Sequence, residues 1–375
     1  MESRYRSNQA SRRQSPPRRK KSRGFRTLLF TAILVGVFTV ALVVYLMFFR
    51  DRERTIAMTQ TPITSGMTHL NTGRGLLYQT DGAIHYYDWL DQKRNYTYGT
   101  AADDIRMTGN TTMSAVYNRN SLQIVGKASP MTFTGTIETV ECGISHLAVL
   151  RKDSDGQESV LIMTEDGEQL DQILPGSTFI VDFGFYNVNG ERFWIELLSI
   201  TASEPTVTIR TYELAKKSQT GAIQIQSQLV EDVYITNSSI FVAGTNQIIR
   251  YTHDGNQESS RFTIYGYTVL DFSATPTFLL TPRGGDMHSV KLLRIDEANN
   301  SVKETYLQLP SEGVAGFLMN NSLIVVSREK MFTYKLDGSL SETAALEYPI
   351  ENAYKLSDTM LLLESGGQFY TASVK

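Results

Sequence analysis

A serial repeat restricts the fold of this chain more than any other feature. Beyond residue 55, short runs of β-branched, aromatic and aliphatic residues alternate with clusters of Gly, Asn, Asp and Ser, the pattern of strands and turns rather than of helices. The runs come in pairs. Gly75–Thr80 and Ala83–Asp88 flank Asp81-Gly82, a two-residue turn whose geometry matches strand twist. Seven further pairs begin at Ser114, His146, Phe193, Ile240, Thr277, Leu323 and Met360, so first strands start 32 to 47 residues apart. A unit of about 40 residues carrying four strands is that of a β-propeller blade.

The outer strands are legible too. Asp-Gly recurs after the third strand at Asp166-Gly167, Asp254-Gly255 and Asp337-Gly338, each followed by another strand-like run. An innermost strand is expected ahead of six of the pairs, at Thr139–Cys142, Ile180–Phe183, Val233–Ile235, Val269–Phe272, Val314–Phe317 and Asn352–Tyr354. The last pair reaches Lys375 without room for a fourth strand. A segment around Thr55–Met58 is expected to supply it and so remove the exposed edges. The expected fold is all-β, an eight-bladed propeller with seven blades as the alternative, over residues 55–375.

Ahead of it, Thr27–Phe49 holds 23 residues without a charge. As a helix at 1.5 Å per residue the run is about 35 Å long, enough to cross a hydrocarbon core about 30 Å thick. Residues 1–26 carry ten basic side chains against Glu2 alone, a net charge of +9. Short basic segments stay in the cytoplasm. The reading is a basic cytoplasmic tail (1–26), a single-pass transmembrane signal anchor (27–49), a short linker (50–54) and an extracellular C-terminal domain at the plasma membrane. A cleavable signal peptide is disfavoured because Phe48, Phe49 and charged residues follow the run in place of a small-residue cleavage site.

Beyond residue 26 there are 26 basic and 38 acidic residues, a formal charge of −12, which excludes nucleic acid as an electrostatic partner. Cys142 is the single cysteine, so no intrachain disulfide exists. The five histidines, His69, His85, His146, His253 and His288, lack metal-ligand spacing and read as packed or surface residues. Trp89, Trp194 and the 19 tyrosines suit strand packing, with sugar-stacking platforms as the alternative. Asn71–Gly75 and Arg283–Asp286 are glycine-bearing turns, neither standing between a strand and a helix as a phosphate cradle does. Glu141, Asp182 and Asp271 stand on expected innermost strands, which line a propeller's central channel. Converging there, they suit a cation or an acid–base pair; the plainer reading is solvated charges at the channel mouth.

Basic tail, anchor and repeats such as Ile248–Gly255 and Phe332–Gly338 together resemble a family of uncharacterised single-pass membrane proteins of Gram-positive bacteria, and more distantly the quinoprotein-like propellers. The first resemblance implies a cell-envelope location and brings no activity. The second group includes dehydrogenases and an outer-membrane assembly scaffold; this chain lacks the dehydrogenases' adjacent cysteines and Trp-ending repeat. No catalytic, metal or cofactor signature is present. The expected function is a non-enzymatic binding or scaffolding module with a protein partner at the envelope. The alternatives are an envelope hydrolase using the three carboxylates, or the ectodomain of a sensor acting through a separate cytoplasmic partner.

Overall fold

The computed structural model describes residues 30–32, 34–42, 54–100, 104–127, 129–200, 204–226, 228–253, 255 and 257–374. They belong to two units, Met1–Glu53 and Arg54–Lys375. In the first, residues 30–32 and 34–42 are helical with exposed side chains, and Thr39 Oγ1 donates to the Val35 carbonyl at 2.8 Å. Among the described residues no helix is long and apolar enough to cross a membrane. The rest of Thr27–Phe49, the basic tail and residues 50–53 lie outside the described residues.

In the second unit the central strands are apolar on consecutive residues, not on alternate ones. Ile240–Ala243 and Leu323–Val326 are buried at every position. A strand of this kind needs apolar neighbours on both faces of its sheet. It has them: Ile240 and Val242 enter one core cluster with Ile209 and Ile223, while Phe241 and Ala243 enter the next with Phe278 and Leu280. Likewise Leu147 and Val149 face one neighbour and Ala148 the other. The core is thus a succession of clusters, most of them shared by two consecutive sheets and one, with Leu279, Leu292, Leu323 and Val325, lying within a single large sheet. The succession closes, because Leu362 and Phe369 near the C-terminus share a cluster with Leu76 and Tyr87.

Among the described residues the strands form six four-stranded sheets and one eight-stranded sheet. The eight-stranded sheet arises because Ser301–Met319 is one long strand. Its first part pairs with Met287–Asp296 and its last part with Ser322–Ser327. The predicted pairs, inner strands and turns fall on observed elements, except that Asp254 of the predicted turn Asp254-Gly255 lies outside the described residues. At the first hairpin Asp81 and Gly82 both take positive φ, 51° and 72°, as the two-residue turn requires.

Closure differs in one respect from the sequence expectation. The strand that completes the last sheet is Met58–Thr64, antiparallel to Gln368–Ser373. Thr55 lies one strand earlier: Arg54–Ile56 pairs in parallel with Leu340–Leu346 of the preceding sheet, so the chain passes from one sheet to the next at Ala57. Pro62, which has no N–H to give a ladder, sits in the irregular stretch between Gln60 and Thr64, where such a residue is tolerated. Gln368 Nε2 bridges that stretch, donating to the Thr61 and Ile63 carbonyls at 2.8 Å each.

Candidate functional site: carboxylates on the innermost strands

Five innermost strands share an irregularity. Register slips at Ile137/Thr139, Ile180/Asp182, Val230/Asp232, Val269/Asp271 and Gly313/Ala315. A bulge of this type leaves backbone donors without a ladder partner. On three strands the residue after the bulge is Asp, and its carboxylate accepts the N–H of the next residue: Asp182 from Phe183 at 2.8 Å, Asp232 from Val233 at 2.7 Å and Asp271 from Phe272 at 2.8 Å. Thr139 and Ala315 hold the same position on the other two strands, so the bulge itself does not demand an acid.

Two of the three expected residues, Asp182 and Asp271, therefore occupy equivalent sites. Glu141 does not. It stands two residues further along its strand, opposite Ala148, with Thr139 in the aspartate position. It still lies close enough to Asp182 to feel its charge. Burial first, then Asp182, pushes the Glu141 carboxyl up to about 7.

Sequence reading missed Asp232 and Glu196. Asp232 was passed over because the expected strand began one residue later. Glu196 is on a second strand, directly opposite Asp182, and is 4% exposed. Its signal was present as the one acid inside the apolar run Phe193–Leu197. Burial, then the carboxylates of Asp182 and Asp232, raises Glu196 to about 7. Asp182 is raised as well, because surrounding protein displaces water and Asp232 adds repulsion, against the Phe183 hydrogen bond.

Asp271 is differently placed. Its second oxygen accepts the Leu318 N–H at 2.7 Å and lies 3.9 Å from Lys355 Nζ. That ammonium donates to the Leu318 carbonyl at 2.6 Å. Asp271, Leu318 and Lys355 tie together three successive innermost strands.

The arrangement is a wall of carboxylates in which Glu141 and Glu196 are raised to about 7, and it favours cations by field rather than by a closed ligand set. Among the described residues, three ligating side chains come within 4.8 Å of one another only at the exposed Asp286, His288 and Glu312. This includes a histidine that the sequence gave no reason to single out. Cys142 is buried in a core cluster, and its thiol is pushed up to about 12 by burial and by Glu141, so it is no nucleophile.

No family model matches the sequence, and no relative was found among curated protein sequences. Solved structures do match. BamB from Moraxella catarrhalis has 10% identity and a TM-score of 0.53 over 85% of this chain and 100% of that chain. For the C-terminal WD40 domain of Sif2 the values are 11%, 0.54, 86% and 98%, and for the WD40 domain of SCAP from fission yeast 10%, 0.52, 85% and 98%. At such identities the likeness is one of fold. The fold is a β-propeller. Glu141, Asp182, Asp232 and Asp271 all stand on the first strand of a sheet.

Proposed function

We propose that this chain is a non-enzymatic scaffold held at the outer face of a plasma membrane, with an eight-bladed propeller that binds a protein partner. The blade count follows if the long strand Ser301–Met319 is divided at Pro310 between two units. The anchor rests on the uncharged run Thr27–Phe49 behind its basic tail.

The observation that carries the binding reading is an apolar end. Leu174, Leu229 and Tyr265, in connections from an outer strand to the next innermost strand, are 52%, 60% and 78% exposed. Ile200, after the second strand of its sheet, is 57% exposed. Antiparallel order puts these two kinds of connection at the same end of every sheet. The bulge residues Val181 and Leu270 add exposed apolar surface on the inner strands. Large side chains gathered in this way on a rigid frame mark an interaction surface. The likeness to BamB and to WD40 domains supports a scaffold rather than a catalyst.

Single cysteines test both parts, because Cys142 is buried and unreactive. Tyr265→Cys treated in intact cells with a membrane-impermeant maleimide crosslinker is expected to be labelled and to join one discrete protein. Leu340→Cys, exposed elsewhere, is expected to be labelled without that adduct. Labelling only after permeabilisation would overturn the outer location. Identical adducts at both positions, or none, would overturn the scaffold reading.

A further inference from the structure

At the other end of the sheets the turns enclose an open cleft of about 940 Å³, within the upper range of small-ligand sites. One wall is aromatic. Tyr86 stacks on Tyr96 with centroids 4.9 Å apart and 17° between planes, and Tyr98 meets Tyr96 edge-on at 4.9 Å. Tyr96 remains 47% exposed. Stacked on Tyr86 and in perpendicular contact with Tyr98, its ring lines the cleft.

Two turns shape this wall. Asp88 is buried and accepts the N–H groups of Leu90 and Asp91 at 2.9 Å each, which fixes the loop carrying Trp89. The turn Thr72–Gly75 is closed by Thr72 Oγ1 on the Gly75 carbonyl at 2.9 Å. Tyr86 lies so close over Gly75 that a Cβ there would strike its ring. This is the glycine-bearing turn that the sequence marked as punctuation; in the fold it presents the exposed Arg74 to the cleft.

The charges along the cleft balance. Arg74 and Arg94 stand against Asp88 and Asp91, with Arg94 Nε 3.5 Å from Asp91. The remaining wall is largely hydroxyl-bearing, Thr111 and Thr112 among it. Neutrality disfavours an anion such as a nucleotide or phosphate. A wall this polar is a poor match for the apolar grooves that take proline-rich peptides. A ligand that combines flat C–H faces with a rim of hydroxyls fits both features.

We infer that this cleft binds a neutral saccharide chain, with sugar faces on Tyr96 and Trp89 and hydroxyls on Arg74, Asp91 and Arg94. The site is independent of the apolar end. Trp89 reports on it directly, because the only other tryptophan, Trp194, is buried. Full-length protein in detergent is titrated with hexamers of β-1,4-linked N-acetylglucosamine, β-1,4-linked glucose and α-1,4-linked glucose, and tryptophan emission is followed. At least one hexamer is expected to give a saturable change. Tyr96→Ala should weaken it ten-fold or more while leaving the thermal midpoint of unfolding within about 2 °C. Arg74→Ala, on an exposed side chain, should also weaken it. No saturable change with any hexamer overturns the inference, as does binding indifferent to Tyr96→Ala and Arg74→Ala. A response confined to a decaproline peptide or to inorganic phosphate overturns it too, by showing another ligand class.

Discussion

Glu191 and His146 begin the second strands of two consecutive sheets, and the Glu191 carboxylate lies 2.6 Å from His146 Nδ1. The same carboxylate accepts the backbone N–H groups of Ile144 and Ser145 and the Ser145 hydroxyl. One acid thus caps an entire turn of its neighbour. Asn110 does the same one sheet earlier, donating to the Cys142 and Gly143 carbonyls at 2.7 and 3.0 Å. Asn71 carries the theme across the closure, donating to the Lys355 and Leu356 carbonyls. The sheets are therefore joined by directional polar ties as well as by shared apolar clusters.

Removing the first tie should be costly. Glu191→Ala leaves the Ile144 and Ser145 donors to water or to nothing, and a loss of about 1–3 kcal/mol is expected. Denaturant unfolding monitored by circular dichroism measures it. A midpoint equal to that of the parent protein would show that the tie is ornamental.

The carboxylate wall should make stability depend on pH. Glu196 binds a proton more tightly folded than unfolded, about 7 against an ordinary 4.5. Its contribution is fully present below about pH 4.5 and is lost as pH rises through about 7. Glu196→Gln removes the charge that is costly at high pH. The variant should be more stable than the parent at pH 8, by on the order of 1 kcal/mol, and the difference should shrink through pH 5 and close by about pH 4. Glu141, raised in the same direction, remains in both proteins, so part of the slope persists in the variant. A gap that does not change between pH 5 and 8 would remove the electrostatic account.

Closure depends on Gln368 in a way that strand pairing alone does not reveal. Between Gln60 and Thr64 the ladder lapses, and the Gln368 amide serves the carbonyls of the buried Thr61 and Ile63. Gln368→Ala should cost about 2 kcal/mol and speed amide exchange selectively in Met58–Thr64 and Gln368–Ser373. Exchange that quickens evenly over all sheets would mean that the closing strands are no weaker than the rest.

The apolar runs made the architecture legible. A strand buried on both faces must be apolar at consecutive positions, and turns need Gly, Asp or Asn, so the pairs and their spacing stood out. The closing strand was harder to locate. Thr55 and Met58 belong to one short extended segment, and only the partners available in space assign its two halves to different sheets. For the inner carboxylates, Asp182 and Asp271 were visible as acids on expected first strands, whereas Asp232 fell just outside a boundary and Glu196 looked like one charge in a core strand. The cleft was the least legible. Tyr86, Trp89, Tyr96 and Tyr98 read singly as strand packing, and the glycines at 73 and 75 as a turn.

Local chemistry along the chain therefore determined an all-β repeat of four-stranded units, with its central strands, its turns and its wish to close on itself. Periodicity and turn propensity act over a few residues and survive translation into structure unchanged. Which acids face one another, which turn Glu191 caps and which tyrosines form a wall were decided by the tertiary fold. Those contacts join residues of different sheets, and their distances depend on bulges and ring closure that no local pattern encodes.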